Sequence, residues 1–587
     1  MVIIMSKDMI KKLFSILDRQ QKTKIAGLVV LILIGGLLET AGVSLILPLL
    51  TAILDEQSFA ANEYVIYFMD LLQIQELKSF IYFILFALIF MYVFKAVYLI
   101  WLTYVQSKFV NRNRSRCTTN LLSQFLNKPY EYYLYAETAT IVRTIYGDMD
   151  NIFNLLLQFM GLIAELVVCT CLGIFLLFLD VKMMIVIVGL LFATTIFITK
   201  VIKPRLKQAG EDARMALAGM YKGILQPVSG IKEVKVQNKE RFFTATYHKS
   251  ADAYAYYQVK NNVYTNLPRL LIESIAIVGV LLYVAGCMAT GVELTSLLPM
   301  ISAFALAAMR LLPSVNRVNT YIANIAYYES ALNYIYENVN TEEMGRQEEL
   351  EAYRLAHPNT TNITLEDKIE LSNITFAYPN TEKKIFDKAK MQIPVGKSIG
   401  VVGPSGSGKT TIVDVLLGLL QLQEGIITSD GRNIFDNYEA WLAHVGYIPQ
   451  TIYMLDDSVR NNIAFGVKEE DIDDARIWEV LEQSQMKDFV ESLPEGLDAQ
   501  IGERGVRISG GQRQRLGIAR ALYHDPELLI FDEATSALDN DTETAIMEAI
   551  DMLHGQKTMV IIAHRLRTIE NCDLIYEVKD GKIELKR

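Results

Sequence analysis

Apolar residues gather in long unbroken runs through the first half of this chain and in short runs through the second. The long runs fall at roughly 25–54, 79–105, 152–179, 183–202, 267–290 and 294–312. A helix needs about 20 such residues to cross a bilayer, so six crossings are predicted. The second and last are expected to continue as helix past their apolar parts. The polar intervals 107–150 and 205–262 are too long for turns and are patterned as helices, extending the spans well beyond the membrane. Residues 337–367 are charged, broken by Pro358, and read as a linker. From 368 to 587 short β-rich runs alternate with polar helices, an α/β pattern. The predicted order is therefore an amphipathic helix at 1–24, a membrane α-helical domain at 25–336, the linker, and an α/β domain.

Charge orients the spans. Lys7, Lys11, Lys12, Arg19, Lys22 and Lys24 precede the first, and basic clusters containing Lys108, Arg112, Arg114 and Arg116, then Lys203, Arg205 and Lys207, follow the second and fourth. The remaining loops are short and acidic or neutral. Positive loops stay on the cytoplasmic side, so both termini are expected inside. Met9, Lys12, Leu13, Ile16 and Leu17 mark an amphipathic helix predicted to lie along the inner surface. At 59–73, Tyr64, Val65, Phe68, Leu71 and Leu72 share one helical face, either a connector or a helix dipping into the outer leaflet. The sequons at Asn359, Asn362 and Asn373 then lie on the cytoplasmic side and are chance matches.

Composition narrows the class. Hydrophobic residues make up 51% and charged residues 21%, a mixture expected of a chain with membrane and soluble parts. A formal charge of −10 argues against a general nucleic-acid binder. The five cysteines form no CxxC pair and the six histidines no HxxxH spacing, so no disulfide frame or metal cluster is expected. Residues 1–24 lack an apolar core with a cleavage site and do not read as a signal peptide.

The chemistry sits in the second half. After the apolar run SIGVVG comes Gly403, Pro404, Ser405, Gly406, Ser407, Gly408, Lys409 and Thr410, then the apolar helix pattern beginning at Thr411. This is GxxxxGK[ST] between a strand and a helix, the context a phosphate loop requires. Its backbone N–H groups close on phosphate, Lys409 reaches the β/γ-phosphates, and Thr410 offers a hydroxyl to Mg²⁺. Further on, LLIF forms a buried strand that delivers Asp532 and Glu533 at its C-terminal end, where α/β sheets place ligands. Asp532 is expected to hold the metal and Glu533 to act as general base toward the attacking water.

Ile508-Ser509-Gly510-Gly511-Gln512, followed by RQRLGIARAL, resembles the signature of the ATP-binding-cassette family, with Ile at its usual Leu. The resemblance implies that Tyr378 stacks on adenine, that Gln450 senses the metal and the membrane domain, and that His564 is the switch histidine. It also implies that Gly502–Gly505 lies beside coupling helices and that Ser536–Asp539 crosses a dimer seam. The family's site is composite, the phosphate loop of one copy facing Ser509–Gln512 of another. A homodimer with twelve spans is the simplest expectation, using ATP and Mg²⁺. Membrane domain before cassette resembles an exporter, with coupling turns expected near 134–147 and 224–238.

Ionisable groups within apolar spans are expensive and usually functional. Glu39, Lys95, Glu165, Arg269, Glu273, Arg310 and Arg317 are the candidates. Arg310 and Arg317 share a face of the sixth helix, and Arg310 lies about 24 Å from the outer end of its span. The cations can snorkel or pair, Arg269 with Glu273 four residues on, or they can line a pore and meet an anion. GGLLETAGVSLILPLL, YVFKA, LPRLLIES and RLLPSVNR also resemble the bacterial lipid-linked-oligosaccharide flippases of protein N-glycosylation. That likeness implies that Lys95, Arg269, Arg310 and Arg317 engage the diphosphate of a polyprenyl-linked glycan, and that the 59–73 helix meets the polyprenyl chain. Position 95 is Lys where that family has Arg, which keeps attraction but loses the bidentate fork. Export of another anionic lipid or a peptide is the alternative. Filled positions at Glu533 and His564 weigh against an ATP-gated channel, and residues 1–24 leave no room for an N-terminal peptidase.

Overall fold

The computed structural model describes residues 7–44, 60, 63–179, 196–289, 294–339, 359–379, 381–502, 505–533, 540–563 and 569–587. They form two compact units. The first comprises Met1–Lys128 and Tyr135–Leu355, the second Pro129–Leu134 and Ala356–Arg587.

The first unit is helical: α1 (Lys7–Ser15), α2 (Arg19–Ser44), α3 (Glu63–Leu71) and α4 (Leu77–Leu126), then α5 (Tyr130–Tyr135), of which residues to Leu134 belong to the second unit, α6 (Thr138–Arg143) and α7 (Met149–Leu179). These are followed by α8 (Lys203–Ser229), α9 (Ile231–Val236), α10 (Glu240–Ala289) and α11 (Leu294–Asn338). Among the described residues three helical stretches are long and apolar enough to cross a membrane, at Arg19–Thr40, Leu77–Leu126 and Thr138–Cys171. Most of the fourth predicted span, residues 180–195, lies outside the described residues. At 50 residues, α4 and α10 each run about 75 Å, more than twice the hydrocarbon thickness, so the apolar runs do continue as long polar extensions.

Two sequence expectations change. The apolar face of α1 does not lie on lipid: Met9, Leu13, Ile16 and Leu17 are all buried. The helix packs on α11, where Lys12 donates to Asn333 Oδ1 at 3.0 Å and sits 5.3 Å from the Tyr336 ring centre. Helix α3 also divides its apolar residues differently. Val65 and Met69 pack against Phe80 at the start of α4, while Ile66, Tyr67, Phe68 and Leu71 are left exposed.

Close packing around α2 comes from a glycine pair. A side chain at Gly35 would meet Leu102 and Tyr98, and one at Gly36 would meet Val167, so α2 lies tight against α4 and α7. Tyr98 fixes the first contact by donating to the Leu31 carbonyl at 2.8 Å. A π-helical turn at Thr144–Asp148 joins α6 to α7 and sets Arg143 and Asp148 on one face, 3.2 Å apart and buried. The guanidinium groups of Arg143 and Arg214 lie 4.8 and 4.1 Å from the centre of the Tyr334 ring.

Among its described residues the second unit holds ten strands in two sheets: β1 (Lys368–Phe376), β2 (Phe386–Pro394), β3 (Ser398–Val402), β4 (Glu424–Ser429), β5 (Arg432–Asn433), β6 (Val445–Ile448), β7 (Leu528–Asp532), β8 (Thr558–Ile562), β9 (Leu574–Lys579) and β10 (Lys582–Leu585). The antiparallel sheet runs β2-β1-β4-β5. The other runs β10-β9-β3-β8-β7-β6, parallel from β9 to β6. Strands β7 and β8 are buried along their whole length, which is why LLIFD and TMVII read as continuous rather than alternating apolar runs.

Candidate functional site

The phosphate loop leaves the end of β3 and enters α12 (Lys409–Leu416). Gly408 has φ +105°, and a Cβ there would strike Ile385; Gly403 lies against the Val578 carbonyl. The loop therefore excludes side chains at both ends, keeping its N–H groups clear for phosphate. Lys409 is buried and donates to the carbonyls of Gly403 and Pro404 at 3.0 and 3.1 Å, holding the loop closed from within. Thr410 stands exposed at the helix start, on the solvent side of the loop.

Parallel pairing of β7 beside β8 and β6 brings Asp532 and Glu533 to the same sheet edge. Asp532 is 4% exposed, and its Oδ1 has no hydrogen-bond partner. Burial, then the neighbouring Glu533 charge, push its carboxyl up to about 6, against hydrogen bonding from Tyr447 and attraction to Lys409. Asp414, on α12, is likewise pushed up to about 6 by burial and by Asp532. A buried carboxylate with an open oxygen, a threonine hydroxyl and the Gln450 amide oxygen form an all-oxygen set that suits Mg²⁺. When bound, that ion would offset the carboxylate charge and the charge on nucleotide phosphates. Gln450 donates its amide to Glu533 Oε2 at 2.8 Å, and Glu533 has a left-handed backbone, φ +51°.

The signature has a structural meaning of its own. Ser509 caps α13 (Gly510–Leu522): its hydroxyl accepts from Gln512 N at 3.2 Å, while Gln512 Oε1 accepts from Ser509 N at 2.8 Å. Ser-Gly-Gly-Gln is thus a capping box, leaving Gly510 exposed at a helix N-terminus with Gly511 buried behind it. Tyr378 packs edge-on against Phe376 with its hydroxyl 3.1 Å from Thr411 Oγ1, which directs the ring's edge to the loop helix. His564 lies outside the described residues, as do Glu503, Arg504 and Ser536–Asp539.

Three residues were missed in the sequence. Asp414 and Tyr447 flank Asp532, and the signal for Asp414 was a single carboxylate in the apolar run TIVDVLLGLL. Tyr130 is the third. Residues Pro129–Leu134 group with the second unit, where Glu131 Oε1 accepts from Gln421 N at 3.0 Å. The Tyr130 hydroxyl is pushed up by burial and by nearby Asp414 and Tyr378. The segment expected as the first coupling turn was 134–147, whereas the residues that group with the second unit are Pro129–Leu134. The segment expected as the second, 224–238, contains α9.

In the first unit a polar seam runs between α7 and α11. Asn324 donates to Gln158 Oε1 at 3.0 Å, Tyr321 fills the space over Gly161, and Arg317 Nε meets Glu165 Oε1. Each pair steps three, then four residues along both helices in opposite directions, one antiparallel register. Across from it Lys95 Nζ lies 3.7 Å from Glu39 Oε1 and 5.5 Å from the Tyr92 ring centre. Glu39 is within electrostatic reach of Arg317 and Glu165. Two of the four cations assigned to an anionic cargo are thus already paired with carboxylates, because apolar surroundings make an unpaired charge costly. The side chains of Arg269 and Arg310 lie outside the described ones; Glu273 accepts from Asn316 Nδ2 at 3.5 Å.

Residues 25–306 match the family described as ABC transporter transmembrane region, and residues 386–536 match ABC transporter. The chain belongs to the ABC transporters, as an exporter-type half-transporter: a multi-pass membrane protein whose cassette hydrolyses ATP, with Mg²⁺ as partner ion. The ATP-dependent lipid A-core flippase of Escherichia coli K12 is 29% identical over 489 residues, 82% of this chain and 80% of that one. The flippase of the same name in Photorhabdus laumondii is 44% identical over 216 residues, 37% of each chain. ABC transporter BEA3 of Gibberella fujikuroi is 40% identical over 217 residues, so the match spans 37% of this chain and 17% of that one. A bacterial Atm1-family ABC exporter with ATP bound shares the fold at a TM-score of 0.69 and 22% identity, covering 96% of this chain and 94% of that one.

Proposed function

We propose that the protein is an ATP-driven flippase that moves a polyprenyl-diphosphate-linked oligosaccharide from the inner to the outer leaflet. The observation that carries this is the polar patch of Lys95, Arg317, Glu39 and Glu165 inside otherwise apolar helices. Charge there would gain nothing for a neutral apolar cargo, whereas Arg suits a phosphate through its two-pronged fork. In this reading Lys95, Arg269, Arg310 and Arg317 face the diphosphate, and the exposed residues of α3 meet the lipid tail. Glu533 is the general base, Gln450 and His564 position water and phosphate, and Thr410, Gln450 and Asp532 hold Mg²⁺. The phosphate loop with Thr411, Tyr378 and the partner copy's signature enclose ATP, which requires a homodimer. Both termini are cytoplasmic, in the inner membrane.

A second reading, another anionic membrane lipid, draws on the Escherichia coli relative aligned over 82% of this chain, whose name specifies lipid A-core. Purified protein in liposomes tests both. The expected result is ATP-dependent outward movement of labelled polyprenyl-diphosphate glycan, lost in Glu533→Gln and in Arg317→Ala. Movement that persists in Arg310→Ala and Arg317→Ala would overturn the diphosphate assignment. Transport of lipid A-core but not the glycan would favour the second reading.

A further inference from the structure

The membrane seam holds more than the cations. Glu165 has a side chain only 9% exposed; one oxygen meets Arg317 and the other, Oε2, is buried without a hydrogen-bond partner. Its partner Arg317 is 45% exposed, and so can be reached by a ligand while Glu165 cannot. Lys95 is the more enclosed member of its own pair, with Glu39 at 31%. The two pairs join different helices: Glu39–Lys95 links α2 to α4, and Glu165–Arg317 links α7 to α11. Each cation thus carries a carboxylate that also fastens one helix to another.

We propose that Glu39 and Glu165 are resident counter-ions, which the cargo phosphate displaces from Lys95 and Arg317. This rests on the anionic-lipid reading above. A carboxylate and a phosphate oxygen are equivalent acceptors for guanidinium and ammonium, so the exchange replaces one ion pair by another without baring a charge in an apolar layer. It also releases the α2–α4 and α7–α11 fastenings in the same step, coupling the presence of cargo to the freedom of four helices. The counter-ions set specificity as competitors. A ligand with one weakly basic oxygen cannot displace them, while a diphosphate with several can. Glu39 and Glu165 are positioning residues, acting through the cations they hold.

The test uses full-length protein in liposomes, with ATP hydrolysis measured against added polyprenyl diphosphate or neutral polyprenol. Wild type should respond to the diphosphate alone. No response to it would overturn the polyprenyl-diphosphate reading above, and this inference with it. Given that response, Glu39→Gln and Glu165→Gln should each lower the half-stimulating diphosphate concentration about tenfold, equivalent to about 1.4 kcal/mol. Neither should create a response to polyprenol, and Glu39→Asp should return the value toward wild type. An unchanged or raised half-stimulating concentration in Glu39→Gln overturns the counter-ion role. So does a response to polyprenol gained in either variant, which would mark a loosened scaffold. Glu39→Gln keeps the proposal open to refutation where Glu165→Gln fails to fold.

Discussion

Gln450 hydrogen-bonds Glu533 directly, amide nitrogen to carboxylate oxygen at 2.8 Å, across the end of the sheet formed by β6 and β7. The bond steers the assigned base, and its donor lies two residues beyond the end of a strand that pairs with β7 along four residues. Glu533→Gln removes the proton acceptor but preserves size and hydrogen bonding. ATP turnover is expected to fall at least about a hundredfold with nucleotide binding retained, measured by phosphate release and by binding of a fluorescent nucleotide.

Ser509→Ala removes one arm of the capping box. The cost is about 1 kcal/mol of helix stability, and in the proposed composite site Gly510 and Gly511 lose their fixed direction toward nucleotide. Lower thermal stability and lower ATP turnover should appear together. Ser509→Asn, another good cap, should recover the stability without the full turnover.

Asp414 and Asp532 both have carboxyls raised to about 6 from the usual 3.8. The folded protein therefore holds protons that the unfolded chain has already lost, so their contribution falls as pH rises through roughly 4 to 6 and stays low above it. Metal-free protein should lose thermal stability across that window. Asp414→Asn should lessen the loss, and Mg²⁺ with a non-hydrolysable nucleotide should restore stability near neutral pH.

Gly210 lies where α8 meets α11, and a methyl there would land on the Tyr327 carbonyl oxygen. Backbone cannot give way as a side chain can, so Gly210→Ala should cost about 1–3 kcal/mol. Gly27 on α2 has nothing within 4 Å of an added methyl, and Gly27→Ala should be neutral or stabilising by up to about 1 kcal/mol. Thermal unfolding in detergent distinguishes the two.

The sequence by itself determined the order of membrane region and ATP-binding cassette, and it nominated the ATP-handling residues. Covalent spacing suffices for a phosphate loop or a capping box, since GPSGSGKT and SGGQ act through neighbours a few residues away. Apolar runs of about 20 residues are similarly self-sufficient, because a bilayer demands length whatever the partner helices are. Tertiary structure decided what faces what. Met9 and Ile16 read as lipid-facing because an amphipathic stripe looks the same whether α11 or a bilayer covers it. The partners of Lys95 and Arg317 could not be named from sequence, because Glu39 and Glu165 lie 56 and 152 positions away. Asp414 and Tyr447 join Asp532 only through strand order. Such pairings depend on helix register and sheet topology, and no local pattern encodes them.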